Sequence, residues 1–157
     1  MKQSSLISFF IAGILLTASL SFAAEGKPVE VKKTDKCQVC GMFVAKYKEW
    51  IAQIIFTDGT YAVFDGPKDM FRYYFNPQKY NPSKKQADIQ TIYATEYYST
   101  KSMDARKMFY VAGSEVTGPM GAELVPLESE QKAKEFMKDH NGKKILKFSE
   151  ITPEVLD

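Results

Sequence analysis

Residues that commonly hold metal ions are scarce in this sequence of 157 residues, which has one histidine and two cysteines. A closed structural zinc site normally takes four cysteine or histidine ligands, so these three residues cannot build one. An excess of one charge is also lacking. Of the 21 basic residues one, Lys2, lies within residues 1–23. The rest of the chain has 20 basic and 19 acidic residues. This balance gives no electrostatic reason to expect nucleic acid as a partner.

Charge is nearly absent from the N-terminus, where Lys2 precedes an apolar run across residues 6–22. Residues 21–23 (Ser-Phe-Ala) then fit the small-x-small pattern that signal peptidase cuts. An uncleaved anchor helix is the alternative, because a run of roughly 20 apolar residues spans a bilayer. No cysteine lies near this position. We therefore expect a signal peptide cleaved between Ala23 and Ala24, a periplasmic protein and no lipid anchor.

The remaining chain, residues 24–157, has the length of one globular domain. Residues 24–36 are charged and have no apolar period, so they are expected to form an extended N-terminal arm. Residues 37–157 are then the folded, metal-binding domain, with two halves of similar pattern at about 37–98 and 99–157.

The first half contains a strong hairpin signal, Asp58-Gly59, between two apolar segments. A helix with one apolar face follows, and Asp65 is expected to be its N-cap. The predicted elements of this half are strands at 50–56, 60–64 and 89–97, a helix that starts near Pro67, and a polar loop at 76–88.

The second half repeats the order strand, strand, helix, strand. Ser129 is the expected N-cap of its helix, which ends near His140. His140 falls on the buried stripe of that helix, so a packing or capping role is expected for it. The predicted strands lie at 107–112, 122–127 and 144–148. The expected fold class is α+β, with two small ββαβ units packed together after a cleaved signal peptide.

Cys37 and Cys40 lie in one concentrated set of sulfur donors, since residues 37–42 read CQVCGM. Thiolates and thioethers are soft ligands, which favour copper(I) over magnesium, calcium or manganese. A c-type haem is excluded because its attachment motif requires histidine where this sequence has Gly41. The motif therefore predicts a copper(I) site.

Two other functions are consistent with the Cys-x-x-Cys spacing. A thiol–disulfide redox protein is one, although its motif usually opens a helix in a βαβ unit, whereas this motif follows a charged arm. A non-metal scaffold with a structural Cys37–Cys40 disulfide is the other, although so short a loop removes little entropy from the unfolded chain. No nucleophile, base and orienting group can be placed together, so an enzyme is not expected.

Further sulfur ligands have to come from methionine. Met120 lies in Gly-Pro-Met-Gly, a turn-rich setting unlike that of a core residue. Met70 and Met137 fall on apolar helix faces, where packing is the expected role. The roles of Met103, predicted to lie in a polar turn, and Met108 are left open by the pattern.

Four motifs in their order along the chain resemble the NosL family of accessory proteins for bacterial nitrous oxide reductase assembly. The motifs are CQVCGM at 37–42, Asp58-Gly59 with Phe64-Asp65, the segment 103–111, and GPMGAEL at 118–124. The helix around Phe136, Gly142, residues 145–148 and Ile151 also resemble that family, so the resemblance covers nearly all of residues 24–157.

The resemblance implies a periplasmic copper(I) carrier built from paired ββαβ units. Its partners would be the copper ion, apo nitrous oxide reductase or another cuproenzyme, and a membrane ABC-type assembly complex. The family's metal site maps onto Cys40 and Met120, with Met42 as a further candidate. Cys37 is a further candidate ligand because of its Cys-x-x-Cys spacing with Cys40. Members are commonly lipoproteins anchored through an N-terminal cysteine, from which this sequence departs.

Overall fold

The computed structural model describes residues 26–156. The predicted signal peptide at 1–23 lies outside them. Among the residues described, no helix has the length and apolar character needed to cross a membrane. Residues 26–31 run without regular secondary structure along the first sheet. There Gln53 exchanges two hydrogen bonds with the Val29 backbone, and Tyr93 Oη donates to Gly26 O at 2.6 Å.

The described chain forms nine strands and three α-helices, joined by short 3₁₀ turns. The first half contains β1 (Ala52–Phe56), β2 (Tyr61–Phe64), α1 (Pro67–Phe75), α2 (Pro77–Tyr80), β3 (Ile89–Thr95) and β4 (Ser102–Asp104). The second half contains β5 (Phe109–Ala112), β6 (Thr117–Gly118), β7 (Gly121–Ala122), β8 (Val125–Leu127), α3 (Glu130–Asp139) and β9 (Lys144–Lys147).

The first unit is an antiparallel sheet in the order β2-β1-β3-β4, packed against α1. The predicted hairpin joins β1 to β2, where Asp58 Oδ1 accepts a hydrogen bond from Thr60 N at 3.0 Å. Gly59 has a φ of +79°, a left-handed conformation that glycine adopts at little cost. This turn fixes the register that brings Phe64, at the end of β2, opposite Ala52 at the start of β1.

The second unit has the same topology, because its first strand, β5, lies between β8 and β9 in an antiparallel sheet. Ser129 is the N-cap of α3, as predicted, and its side chain accepts a hydrogen bond from Lys132 N at 3.2 Å. Phe136 packs the helix onto a second cluster of buried residues beside the main core. The expected α+β class with two ββαβ units is therefore confirmed.

Three local predictions are wrong. Asp65 is not the N-cap of α1, because that position is Gly66 and no side chain caps the helix. The segment 76–88 is not a plain loop, since Pro77 starts α2, consistent with the preference of proline for the first helical turn. Met103 lies on β4 and not in a turn. Pairing with β3 supplies the backbone hydrogen bonds of this strand.

The methionines divide into packed and exposed groups. Met70 and Met108 are fully buried in the main core, which decides the role of Met108. Met137 packs against the second cluster, in agreement with its expected packing role. His140 packs its ring on Phe136, with 4.3 Å between ring centroids. Met120 is 49% exposed, so core packing does not explain its presence.

Candidate metal centre

The Cys-x-x-Cys motif forms a tight turn. Lys36 and Phe43 pair as an isolated antiparallel bridge on its two sides. Inside the bridge, Cys37 N donates to Met42 O at 2.8 Å, and Gly41 N donates to Cys37 O at 3.0 Å. Gly41 has a φ of +81°, again a conformation suited to glycine. The backbone hydrogen bonds therefore hold the motif in one closed loop.

This turn is attached to the edge of the first sheet at β2. Gln38 N donates to Val63 O at 3.2 Å, which places the motif beside the end of that strand. The chain then passes through Asp65 and enters α1, whose first turn contains Asp69. Two carboxylates that are distant from the cysteines in sequence are thus brought next to them.

Cys37, Cys40, Asp65 and Asp69 form one cluster. One possible ligand atom of each residue lies within 4.8 Å of the ligand atoms of the other three. Cys37 Sγ donates to Asp69 Oδ2 at 3.3 Å, and Cys40 Sγ lies 3.4 Å from both carboxylate oxygens of Asp65. Two thiols and two carboxylates are a donor set that can hold a metal ion.

The cluster is closed on one side and open on the other. Cys37, Asp65 and Asp69 are 3%, 1% and 2% exposed, whereas Cys40 is only partly buried. An ion or an incoming ligand therefore reaches the site from the Cys40 side. Such an opening suits a site that exchanges its metal ion better than a site that retains it permanently.

Burial controls the protonation of both thiols. It raises the pKa of Cys37 far above its usual range, and a hydrogen bond to Asp65 acts in the same direction. Burial also raises the pKa of Cys40, with the charge of Asp65 as a smaller contribution. Both shifts favour the protonated thiols. Metal binding must displace those protons, since the ligand is the thiolate.

Arg72 balances part of the negative charge. Its Nη1 lies 2.9 Å from Asp69 Oδ1, and its Nη2 donates to Leu156 O at 3.2 Å. Asp69 therefore uses one oxygen for the guanidinium and the other for the Cys37 thiol. This arrangement orients the carboxylate toward the cluster and ties the C-terminal turn to α1.

The two predicted methionine ligands, Met42 and Met120, differ in exposure. Met42 is half-buried, and its Sδ lies 3.8 Å from the Tyr47 hydroxyl. Met120 is exposed in the two-residue turn between β6 and β7. Glu123 anchors the base of that hairpin beside the site, because its Oε1 accepts a hydrogen bond from Lys68 N in α1 at 2.6 Å. The structure therefore brings together Cys37 and Cys40, and it places the hairpin of Met120 beside α1.

Sequence reasoning missed both aspartates. Asp65 was noticed only as a helix cap, and Asp69 was not singled out. The available signal was their close spacing, four residues apart across a strand-to-helix junction, which allows both side chains to lie on one side of the helix start. Nothing in the local pattern indicated that this side would meet the cysteine turn.

The fold and the cluster define a small α+β protein with a candidate metal centre of two thiols and two carboxylates. A protein-family model described as NosL matches residues 28–156, so the chain belongs to the NosL family. The resemblance seen in the four sequence motifs is thereby confirmed.

Among curated proteins, the chain is similar to the copper-binding lipoprotein NosL of Stutzerimonas stutzeri. The two sequences are 27% identical over an alignment of 158 residues. The alignment covers 92% of this chain and 82% of the relative.

Among solved structures, the chain is similar to the crystal structure of the copper chaperone NosL from Shewanella denitrificans, with a TM-score of 0.68 at 21% identity. That match covers 82% of this chain and 98% of the other, and it supports the fold. A solution NMR structure of apo-NosL from Achromobacter cycloclastes is 26% identical with a TM-score of 0.48, covering 67% and 87% of the two chains.

Proposed function

We propose that this protein is an exported copper(I) carrier that binds one ion at the Cys37–Cys40 turn and passes it to another protein. The observation that carries the proposal is the convergence of both thiols in one pocket that is open at Cys40. The names of two relatives, a copper-binding lipoprotein and a copper chaperone, support copper as the cargo and carriage, not catalysis, as the role.

The proposed ligands are the thiolates of Cys37 and Cys40, with the thioethers of Met120 and Met42 as additional donors. Sulfur ligands are soft and match copper(I). If no more than three of these four sulfurs bind at once, a coordination position stays free, so that a ligand of the acceptor can bind before those of the carrier leave. The site therefore has the incomplete coordination that transfer between proteins requires.

The aspartates make the pocket a proton-for-metal exchange site. In this structure Asp65 and Asp69 accept hydrogen bonds from the two thiols. If the thiols lost their protons without a metal, two thiolates would lie beside two carboxylates, an arrangement that like-charge repulsion disfavours. A bound cation removes this repulsion, so protons and the metal ion exclude each other.

Zinc is the rival cargo, and the same cluster supports it. Four donors within 4.8 Å of one another are consistent with the four-coordinate geometry of zinc, and carboxylates serve it as ligands. The sequence, with its few cysteines and one histidine, had excluded only a closed site of those two residue types. The choice between the two ions therefore depends on whether the carboxylates bind the metal.

We expect one copper(I) per chain in native mass spectrometry of the anaerobically reduced protein, with copper retained when zinc is added in excess.

Asp65→Asn and Asp69→Asn together should weaken zinc affinity at least tenfold and change copper(I) affinity by less than about threefold. The reason is that an amide oxygen is a weak zinc ligand, whereas copper(I) binding depends on sulfur. Displacement of copper by zinc, or loss of copper to a weak copper(I) chelator, contradicts the proposal.

The thiol–disulfide redox alternative is disfavoured by the surroundings of the thiols. Redox cysteines react as thiolates, and their pKa is usually lowered by nearby positive charge or a helix N-terminus. Here burial raises the pKa of both thiols, and carboxylates are their neighbours. The scaffold alternative gives no role to the two carboxylates, Asp65 and Asp69, that contact the thiols.

The raised pKa of both thiols predicts that Cys37 and Cys40 are alkylated slowly. At pH 7.5 iodoacetamide should modify the reduced, metal-free protein at least several-fold more slowly than it modifies the same protein in urea. The rate should increase as pH rises above about 9, because the thiolate is the nucleophile and a raised pKa lowers its fraction. Mass spectrometry of timed samples measures it. Fast alkylation of Cys40 in the folded protein at pH 7 would favour the redox function.

The remaining parts of the proposal concern the compartment in which the protein acts and its partner proteins. We place it in the periplasm, with apo nitrous oxide reductase as the first acceptor to test and another cuproenzyme as the second. A membrane ABC-type complex is the proposed assembly partner. Transfer from the copper-loaded protein to purified apo reductase, monitored by the spectrum of its copper centres, tests the acceptor.

A further inference from the structure

Glu123 is a buried carboxylate that the proposed ligand set does not use. The residue is 5% exposed. Its Oε1 accepts hydrogen bonds from Lys68 N at 2.6 Å and from Leu124 N at 2.9 Å. Burial raises the pKa of Glu123 to about 7, against which the two backbone donors act. A buried carboxyl group is costly unless it is hydrogen-bonded, so its position beside the helix start calls for an explanation.

Two glycines make room for this side chain. A β-carbon at Gly66 would collide with the Glu123 carboxylate, and one at Gly118 would lie 3.0 Å from Glu123 Cγ. Gly66 directly precedes Pro67, the first residue of α1, and Gly118 ends β6. The Glu123 side chain is therefore packed between the start of the helix and the base of the β6–β7 hairpin.

The hairpin that bears Met120 is very short. Strands β6 and β7 are two residues long each, and in the described part of the chain they form a sheet only with each other. So short a pair is not stable by itself in water. Glu123 comes directly after β7, so its hydrogen bond to the first turn of α1 fixes the hairpin at its base.

The same side chain links the hairpin to the cysteine–aspartate cluster. Gly66 and Lys68, which Glu123 contacts, are the chain neighbours of Asp65 and Asp69. Met120 precedes Glu123 by three residues, a distance of at most about 10 Å along the backbone. A carboxylate accepting from a helix N-terminal N–H forms a charge-assisted bond that the helix dipole favours. The anchor thus joins the Met120 turn to the segment that forms one side of the pocket.

We infer that Glu123 is a positioning residue that docks the β6–β7 hairpin on the start of α1 and thereby sets whether the Met120 thioether reaches the ion held by Cys37 and Cys40. The inference rests on the proposed copper(I) function. Glu123 acts through the hairpin and does not contact the ion. Its contribution should therefore be lost whenever Met120 is absent.

The experiment is a double-mutant cycle with Met120→Ala, Glu123→Ala and the combined variant. Copper(I) affinity is measured anaerobically by competition with a chromogenic chelator, and X-ray absorption counts the sulfur neighbours of copper. We expect Met120→Ala and Glu123→Ala each to weaken copper about tenfold or more and to remove one sulfur neighbour. The double variant should be no weaker than Met120→Ala, because the two residues act as one unit.

Two further variants separate docking from general stability. Glu123→Gln keeps a side-chain oxygen that accepts from Lys68 N, so it should recover most of the affinity and the sulfur neighbour. Glu128→Ala removes an exposed glutamate paired with Lys132, and it should leave both readouts unchanged. If Glu123→Ala fails to fold, Gly66→Ala replaces it, because a β-carbon there collides with the Glu123 carboxylate and displaces it while keeping the carboxyl group.

The outcomes distinguish this inference from the proposed function. If Glu123→Ala keeps the sulfur neighbour of wild type, or if the two substitutions weaken binding by independent factors that multiply, the positioning role is overturned. If Met120→Ala binds copper as wild type does, Met120 is not a ligand and the inference falls with it. Copper binding that still depends on the cysteines would leave the carrier function standing in either case.

Discussion

Replacing Cys40 by serine is expected to lower copper(I) affinity by at least about a thousandfold while the protein stays folded. A hydroxyl is a hard donor with a very high pKa, so it cannot replace a thiolate toward copper(I). Cys40 is partly exposed, and serine is nearly the same size, so little packing is lost. Chelator competition under anaerobic conditions, beside thermal unfolding of the metal-free protein, measures both effects.

The same loss is expected for Cys37→Ser, because Cys37 Sγ lies in the same cluster as Cys40. The serine hydroxyl can donate to Asp69 as the thiol does, so its burial is tolerated. Val39→Ser is the matched control, since it lies in the same turn and keeps both thiols. Affinity of Cys40→Ser within about threefold of wild type would exclude the cysteine site. Wild-type affinity of reduced Cys37→Ser alone would make Cys37 a partner of Cys40 and not a ligand.

Replacing Phe136 by alanine is expected to lower the free energy of unfolding by about 3–5 kcal/mol, the usual cost of truncating a fully buried aromatic side chain. Phe136 has no exposed surface, and its ring lies 4.9 Å from Tyr97 and 4.3 Å from His140, centroid to centroid. It belongs to the second buried cluster, whereas Cys37 packs in the first. Copper(I) affinity of the folded protein should therefore change by less than about threefold.

Phe43→Ala is the matched control for this prediction, because Phe43 is 43% exposed. The same truncation there should cost clearly less than at Phe136, since much of the Phe43 side chain stays in water and its removal leaves no enclosed cavity. Urea unfolding of the metal-free proteins gives both values. A loss below 1 kcal/mol for Phe136→Ala would show that α3 does not depend on this contact. Loss of copper affinity in the folded variant would show that the two clusters are coupled.

Elements whose signals lie within a few residues were predicted correctly. The Asp58-Gly59 hairpin, the start of α1 at Pro67 and the Ser129 cap of α3 all have the predicted form. Turn and cap residues act on their own backbone through φ preferences and short side-chain hydrogen bonds. These interactions are local, so a single sequence contains them, and the order of elements in each ββαβ unit follows.

Predictions failed where a distant segment competed with a local preference. Asp65 precedes a helix, as an N-cap does, but its carboxylate accepts from the Cys40 thiol instead. Met103 follows a polar stretch that resembles a turn, but pairing with β3 makes it part of a strand. In both cases a contact formed only after folding outweighs the local preference, because local propensities contribute little free energy compared with tertiary contacts.

The sequence by itself determined that the candidate site contains two thiols and no imidazole, because cysteine spacing and a shortage of histidine are properties of composition and local order. It also determined the family, through motifs that can be read in order along the chain. Only the tertiary structure decided what surrounds the thiols. The hydrogen bond from Gln38 to Val63 brings the cysteine turn to the end of β2, and this contact places Asp65 and Asp69 against the sulfurs. A contact across 25 residues has no local signal, since it depends on the register of a sheet that forms when the whole unit folds.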